Sequence, residues 1–471
     1  MRKLAKLTST ILICSLCLLL VNGCSAKMNV NDANDANNVL AVTDETNSIL
    51  TESEKSTFSK EVLEQDFEQF IGIIENAHPQ LYTDKEALSA LISLKRSEIK
   101  DGMTELDFYR LLSPIATLLK CGHTNVSLSS DTENALFQEP VMFPLALHWV
   151  DERAFVSQNV FAESIPIGSE ILRINGKPIE EIYSLLMANF SADGKNITRK
   201  EYFLNNIFNY FYTLIVEASS TFEVVYNETP EAPLNSEKFV TIKGVTSAEY
   251  NERILSDWTS SETPYKAEFY DNYAVITFYS FYPQGAFTLS NYKTFMDDFF
   301  IKIRDEDIQK VILDVRENSG GDPNVTSHLF SYLAKSEQPY FVDRGVGFYR
   351  TLYNNVPLAE NNFSGKLAIL MDGMSFSSTG HLLALLKYQK IGTYFGEESG
   401  GSFACTDATQ NFKLNNSKIQ FYCSTIIWEV KVEGLTPGRG ILPDYPISQT
   451  LEQYLSNEDV VLTFAVDWIN E

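Results

Sequence analysis

Apolar positions along the chain fall into three successive patterns. Between residues 56 and 120 they recur at three- and four-residue spacing. Val62, Phe67, Phe70, Ile71 and Ile74 share one face of a helix that stops at His78-Pro79, where proline removes an amide donor. Two more helices are predicted over about 84–99 and 105–120, the last with Thr104 as its cap. Residues 142–245 mix strand-like runs, 143–150 and 154–158, with a helical pattern at 182–190. From 265 onward, short apolar runs at 273–278, 310–315 and 366–371 alternate with helical stretches at about 289–304, 324–334 and after 378. That alternation is the grammar of βαβ units around a mostly parallel sheet. The expected fold class is therefore mixed α/β, with a helical N-terminal bundle over 56–130, a middle module over 142–245 and an αβ body over 265–450.

The ends and the charge narrow the setting. Residues 1–24 carry Arg2, Lys3 and Lys6, then an apolar run too short to span a bilayer, the form of an export signal. Their ending, Val21-Asn22-Gly23-Cys24, resembles a bacterial lipobox, which implies a lipid on Cys24. The alternative is an uncleaved membrane anchor. Either reading places the folded body at the cell membrane, outside the cytoplasm. Residues 25–55 are polar and acidic, too poor in large apolar side chains to offset their ordering entropy, and read as a disordered linker. A formal charge of -25 argues against nucleic acid as a partner and against electrostatic docking on anionic lipid, so attachment rests on the anchor. Beyond Cys24 the cysteines are Cys121, Cys405 and Cys423, without metal-ligand spacing, so neither a metal nor a cofactor is expected. Cys405 and Cys423 lie in two strand-like runs flanking a turn-rich 413–417, which leaves open a disulfide across a hairpin.

Candidate chemistry begins after the run 366–371. The turn Asp372-Gly373 is followed by Ser375, Ser377, Ser378 and Thr379, and then by Leu382, Leu383, Leu385 and Leu386 at helical spacing. A serine at the mouth of a helix has its hydroxyl clear of the core and unpaired amides around whatever it attacks. The same residues serve equally as a plain helix cap. Cys121-Gly122-His123-Thr124 puts a histidine at a helix-to-strand turn, and Gly320-Gly321 closes an apolar run where backbone amides can approach a ligand or simply turn the chain. The run Pro166-Ile167-Gly168-Ser169-Glu170-Ile171-Leu172-Arg173-Ile174-Asn175-Gly176 resembles the core of a PDZ-type module, which implies capture of an extended peptide at a strand edge.

Taken in order, these motifs resemble serine peptidase family S41, the C-terminal processing peptidases and their tricorn-like relatives. The match runs over roughly 56–450 and also includes Gly396-Glu397-Glu398-Ser399-Gly400-Gly401 and Gly438-Arg439-Gly440-Ile441-Leu442-Pro443-Asp444. The resemblance implies Ser377 as nucleophile. The family's lysine position falls on Ser402, so the serine–lysine style is lost, and the tricorn-like style implies His123 as general base with Glu433 as its acid. It further implies an oxyanion hole from the backbone of Gly320, Gly321 and Ser378, a polypeptide substrate, and a membrane-anchored serine endopeptidase. A catalytically inactive, peptide-binding lipoprotein on the same fold is the alternative.

Overall fold

The computed structural model describes residues 56–229, 236–254 and 263–471. The export signal, Cys24 and the linker lie outside the described residues. Within them, no helix is long and apolar enough to cross a membrane.

Five parallel strands form the heart of the body, in the order Ala274–Phe278, Lys310–Asp314, Lys366–Met371, Thr393–Gly396 and Tyr445–Pro446, with Tyr265–Phe269 added antiparallel at one edge. The strands follow chain order without reversal. Right-handed crossovers then place every connecting helix on the same face. Leu289–Asp305, Pro323–Leu333 and Ser378–Tyr388 accordingly pack there over Ile276, Leu313, Ile369 and Met371. The other face is closed by a helix beyond the expected boundary at 450. Val460–Asn470 buries Ala465 and Ile469 against Val275, Ile312, Ala368, Leu370 and Phe395. Burial on both faces explains why these strands read as unbroken apolar runs.

The front helices, Lys60–Ala77, Lys85–Ser97 and Glu105–Leu118, begin and end close to their predicted limits. Thr104 caps the third with a reciprocal bond to Asp107, a device worth roughly 0.5–2 kcal/mol. These helices are not a separate bundle. They share one core with the middle sheet and with Leu414, Ile419, Phe421 and Cys423 from the C-terminal part. Asp66 of the first helix is buried yet fully partnered, accepting from the amides of Asn416 and Ser417 at 2.9 and 2.6 Å. Just past the third helix, Asn125–Ser127 pairs antiparallel with Gln420–Cys423.

The middle module is an antiparallel sheet, ordered Ala146–Val150, Arg153–Gln158, Glu170–Ile174, Thr221–Asn227 and Lys238–Lys243. Between its strands lies a helix that the apolar pattern did not predict, Thr198–Phe211.

The expected Cys405–Cys423 hairpin does not exist. Ala404–Asp407 pairs with Ile426–Glu429, putting Cys405 opposite Trp428, while Gln410–Lys413 pairs with Gln420–Cys423, putting Cys423 opposite Gln410. Cys121, Cys405 and Cys423 are all buried.

Candidate active site

Ser377 is the residue before the helix Ser378–Tyr388, and its backbone has φ 55° and ψ -124°. A side chain in that region costs of order 1–3 kcal/mol and persists only where the surroundings enforce it. Here they do. A Cβ on Gly320 (φ +102°) would lie 2.7 Å from Ser377 Cβ, and one on Gly401 would lie 2.9 Å from the Ser377 amide. Ser375 is structural, its hydroxyl donating to Val315 O at 2.8 Å. Asp372 ties the two turns together by accepting from the amides of Glu317, at 3.0 Å, and Met374, at 2.9 Å.

His123 Nε2 lies 3.0 Å from Ser377 Oγ across 254 residues of chain. That is hydrogen-bond reach for a base and a nucleophile. The ring packs on Phe376, centroid to centroid 4.5 Å, and the other face of this neighbourhood is Arg199, whose guanidinium carbon sits 3.5 Å from the Phe376 ring centre. Arg199 is wholly buried, and burial pulls its pKa down to about 10.

Glu433 does not reach this site. It is exposed, and no hydrogen bond or ion pair joins it to His123 among the described residues. The acid beside the reactive nitrogen is Asp407, whose Oδ2 is 3.9 Å from Nε2. A second carboxylate, Asp193, lies on the opposite side. Its Oδ1 accepts from the Gly122 amide at 2.7 Å, while Oδ2 is buried without a partner among the described residues. Nδ1 of His123 is likewise buried without one. Ligand atoms of Cys121, His123 and Asp193 all lie within 4.8 Å of one another.

The charges in this cluster are coupled. Burial alone would lower the His123 pKa, but Asp407, Cys121 and Asp193 more than offset it and raise it to about 9. Burial pushes the Cys121 thiol up, yet His123 and His78 beside it hold it well below the usual range. The thiol also accepts from Thr406 Oγ1 at 2.8 Å. Burial pushes the Asp193 carboxyl up to about 7.

Of the expected oxyanion donors, Gly320 is the exception, since its amide is already given to Asn318 Oδ1 at 2.9 Å. Ser378, at the first position of its helix, and Gly321 (φ +143°) hold the remaining amides. The glycine motifs near the C-terminus brace this arrangement. Glu398 accepts from Arg439 Nε at 2.9 Å and from the Gly440 amide at 2.7 Å, and Thr198 Oγ1 reaches Glu398 O at 2.8 Å.

Three other histidines are occupied elsewhere. His381 is buried against Cys405 with its pKa pushed down to about 3, His148 stacks on Tyr454, and His328 meets Asp297 at 2.7 Å. Sequence reasoning missed Asp407, Asp193 and Arg199. Asp407 at least closes a strand-like run, a signal of a kind, whereas nothing local marks the other two.

Residues 272–447 match the family model described as peptidase family S41. No curated protein sequence matches the chain. Among solved structures, mature CPAF complexed with lactacystin aligns at a TM-score of 0.60 with 11% identity, over 87% of this chain and 98% of that one. Mature CPAF alone gives 0.58 and 10%, over 87% and 96%. A putative peptidase from Parabacteroides merdae gives 0.43 and 14%, over 87% and 96%. At such identities the CPAF likeness is one of fold, while the family match falls on the sheet and turns that carry Ser377. Residues 272–447 thus match peptidase family S41, and the protein is a serine-type peptidase.

Proposed function

We propose that the protein is an extracytoplasmic endopeptidase in which Ser377 is the nucleophile and His123 the general base. The observation that carries this reading is the 3.0 Å contact between His123 Nε2 and Ser377 Oγ. The ring takes the hydroxyl proton as Oγ attacks the scissile carbonyl, then gives it to the departing amine. The amides of Ser378 and Gly321 hold the oxyanion, a contribution of roughly 2.7–4 kcal/mol per donor. Water then releases the acyl-enzyme. Asp407, beside Nε2, stabilises the imidazolium formed in each step. The same charge holds the resting ring protonated, so the active fraction is the one with a neutral ring and grows as pH rises.

Membrane attachment through a lipid on Cys24 belongs to this proposal and rests on the Val21-Asn22-Gly23-Cys24 ending. Polypeptide in extended form is the substrate implied by the family.

A fluorophosphonate probe tests the chemistry. Covalent labelling of the full chain, lost in Ser377→Ala together with about 10⁴-fold or more of its hydrolysis of an unstructured protein, is the expected result. A folded protein that takes no probe at any pH up to 10 overturns the reading in favour of a binding protein.

A further inference from the structure

His123 has two ring nitrogens, and peptide hydrolysis uses one. Nε2 faces Ser377 at 3.0 Å. Nδ1 is buried without a well-formed hydrogen bond among the described residues, although the Cys121 thiol lies beside the ring, and Asp193 Oδ2 is buried without one as well. An unmade bond on a buried polar atom costs about 1–3 kcal/mol, and two such atoms beside a thiol need an explanation.

We propose that Cys121, His123 and Asp193 bind a divalent transition-metal ion of the zinc type, and that the bound ion switches the peptidase off by occupying the nitrogen opposite Ser377. The inference deepens the reading above and rests on His123 being the base.

Geometry supports it first. The three ligand atoms lie within 4.8 Å of one another. Bonds of about 2.0–2.3 Å to sulfur, nitrogen and oxygen would hold such atoms roughly 3.3–3.7 Å apart, within reach of small side-chain rotations. The far side of each ligand is already pinned. Asp193 Oδ1 takes the Gly122 amide, Nε2 holds Ser377, and the sulfur is oriented by Thr406 Oγ1. Such outer contacts are what orient ligands in metal sites.

Charge and softness point the same way. A thiolate, a carboxylate and a neutral imidazole sum to two negative charges, which a divalent ion cancels, removing the penalty of burying both anions together. Sulfur with imidazole selects zinc, cobalt or copper over magnesium or calcium. His78 also stands beside the thiol, but its Nδ1 accepts from the Gln80 amide at 3.0 Å. Its Nε2 therefore keeps a proton and offers the ion no lone pair.

The functional consequence follows from tautomers. A neutral imidazole that gives its Nδ1 lone pair to a metal carries its only proton on Nε2. That is the atom that must accept the Ser377 proton. Metal and catalysis therefore exclude each other.

Cobalt(II) is the probe that tests this on the full chain. The expected result is a one-to-one complex with an intense near-ultraviolet sulfur-to-cobalt charge-transfer band, retained in Ser377→Ala and lost in Cys121→Ser. Asp193→Asn should weaken cobalt binding at least about tenfold. Zinc should block fluorophosphonate labelling of the wild type, and a chelator should restore it. No charge-transfer band in the wild type, or a band that survives Cys121→Ser, overturns the site even where Ser377 reacts with the probe. A band in Ser377→Ala equal to the wild type's sustains the site even where no labelling is ever seen, so the two readings fail separately.

Discussion

Ser377 rises from a parallel sheet whose first three parallel strands are each followed by a helix that packs on it. His123 is held differently, by pieces drawn from remote places: the end of the third front helix, the Asp193 loop, the strand Ala404–Asp407 and the hairpin of Gln410–Lys413 with Gln420–Cys423. The Ser377 half is sterically over-determined, with glycines at Gly320 and Gly401 where a methyl group would strike Ser377 or its amide. The His123 half holds ionisable groups, with buried Cys121, Asp193, Asp407 and Arg199 around one ring. The contrast teaches that the serine is positioned by shape and the histidine by charge.

If that is right, the two halves should break in different ways. The largest effect is expected from His123→Ala, which should lower kcat/KM for an unstructured protein by about 10⁴-fold while leaving the melting temperature within a few degrees. A drop in melting temperature as large as that of a core deletion would mean the ring is structural. Gly320→Ala should do the reverse and act through stability first. Its new methyl group meets Ser377 Cβ in a positive-φ position, so unfolding free energy should fall by about 2–4 kcal/mol. Gly285→Ala, with φ +58° and open space around it, is the control for backbone strain alone and should cost about 1 kcal/mol. Equal losses in a denaturant titration would remove shape from the account.

Asp407→Asn sharpens the charge side. As the proposed base, His123 must be neutral to work, and its pKa is raised to about 9 with the Asp407 charge the foremost raising influence. Activity should therefore be lost as pH falls through that raised value, and removing the charge should move this acidic limb of the kcat/KM profile downward, toward the ordinary histidine range. An unmoved midpoint would assign the raised value to another neighbour. The smallest effect is expected from Glu433→Gln, at an exposed position, where kcat/KM should stay within about twofold.

The two halves also differed in what the sequence disclosed. The strands 310–315 and 366–371 were legible because burial on both faces leaves apolar runs, and the serine turn because Asp372-Gly373 and the leucine spacing bracket it. His123 was legible only through the order of short motifs. Asp193 and Asp407 were not, since their roles arise from contacts over long separations, such as Gly122 to Asp193 across 71 residues and Cys121 to Thr406 across 285. Local propensity has no access to such pairs. The helix Thr198–Phe211 was hidden for a related reason, because Arg199 on its first turn reads as solvent-facing yet is wholly buried on Phe376. The supposed Cys405–Cys423 pairing failed because adjacent hairpins interleave, a matter of register that turn residues alone do not fix.

The three-residue strand Asn125–Ser127 makes its ladder with Gln420–Cys423, almost three hundred positions later. A polypeptide leaving the ribosome therefore lacks that support until nearly all of it has emerged. The ladder that follows His123 is therefore completed only after the turn that carries Ser377 has already been made.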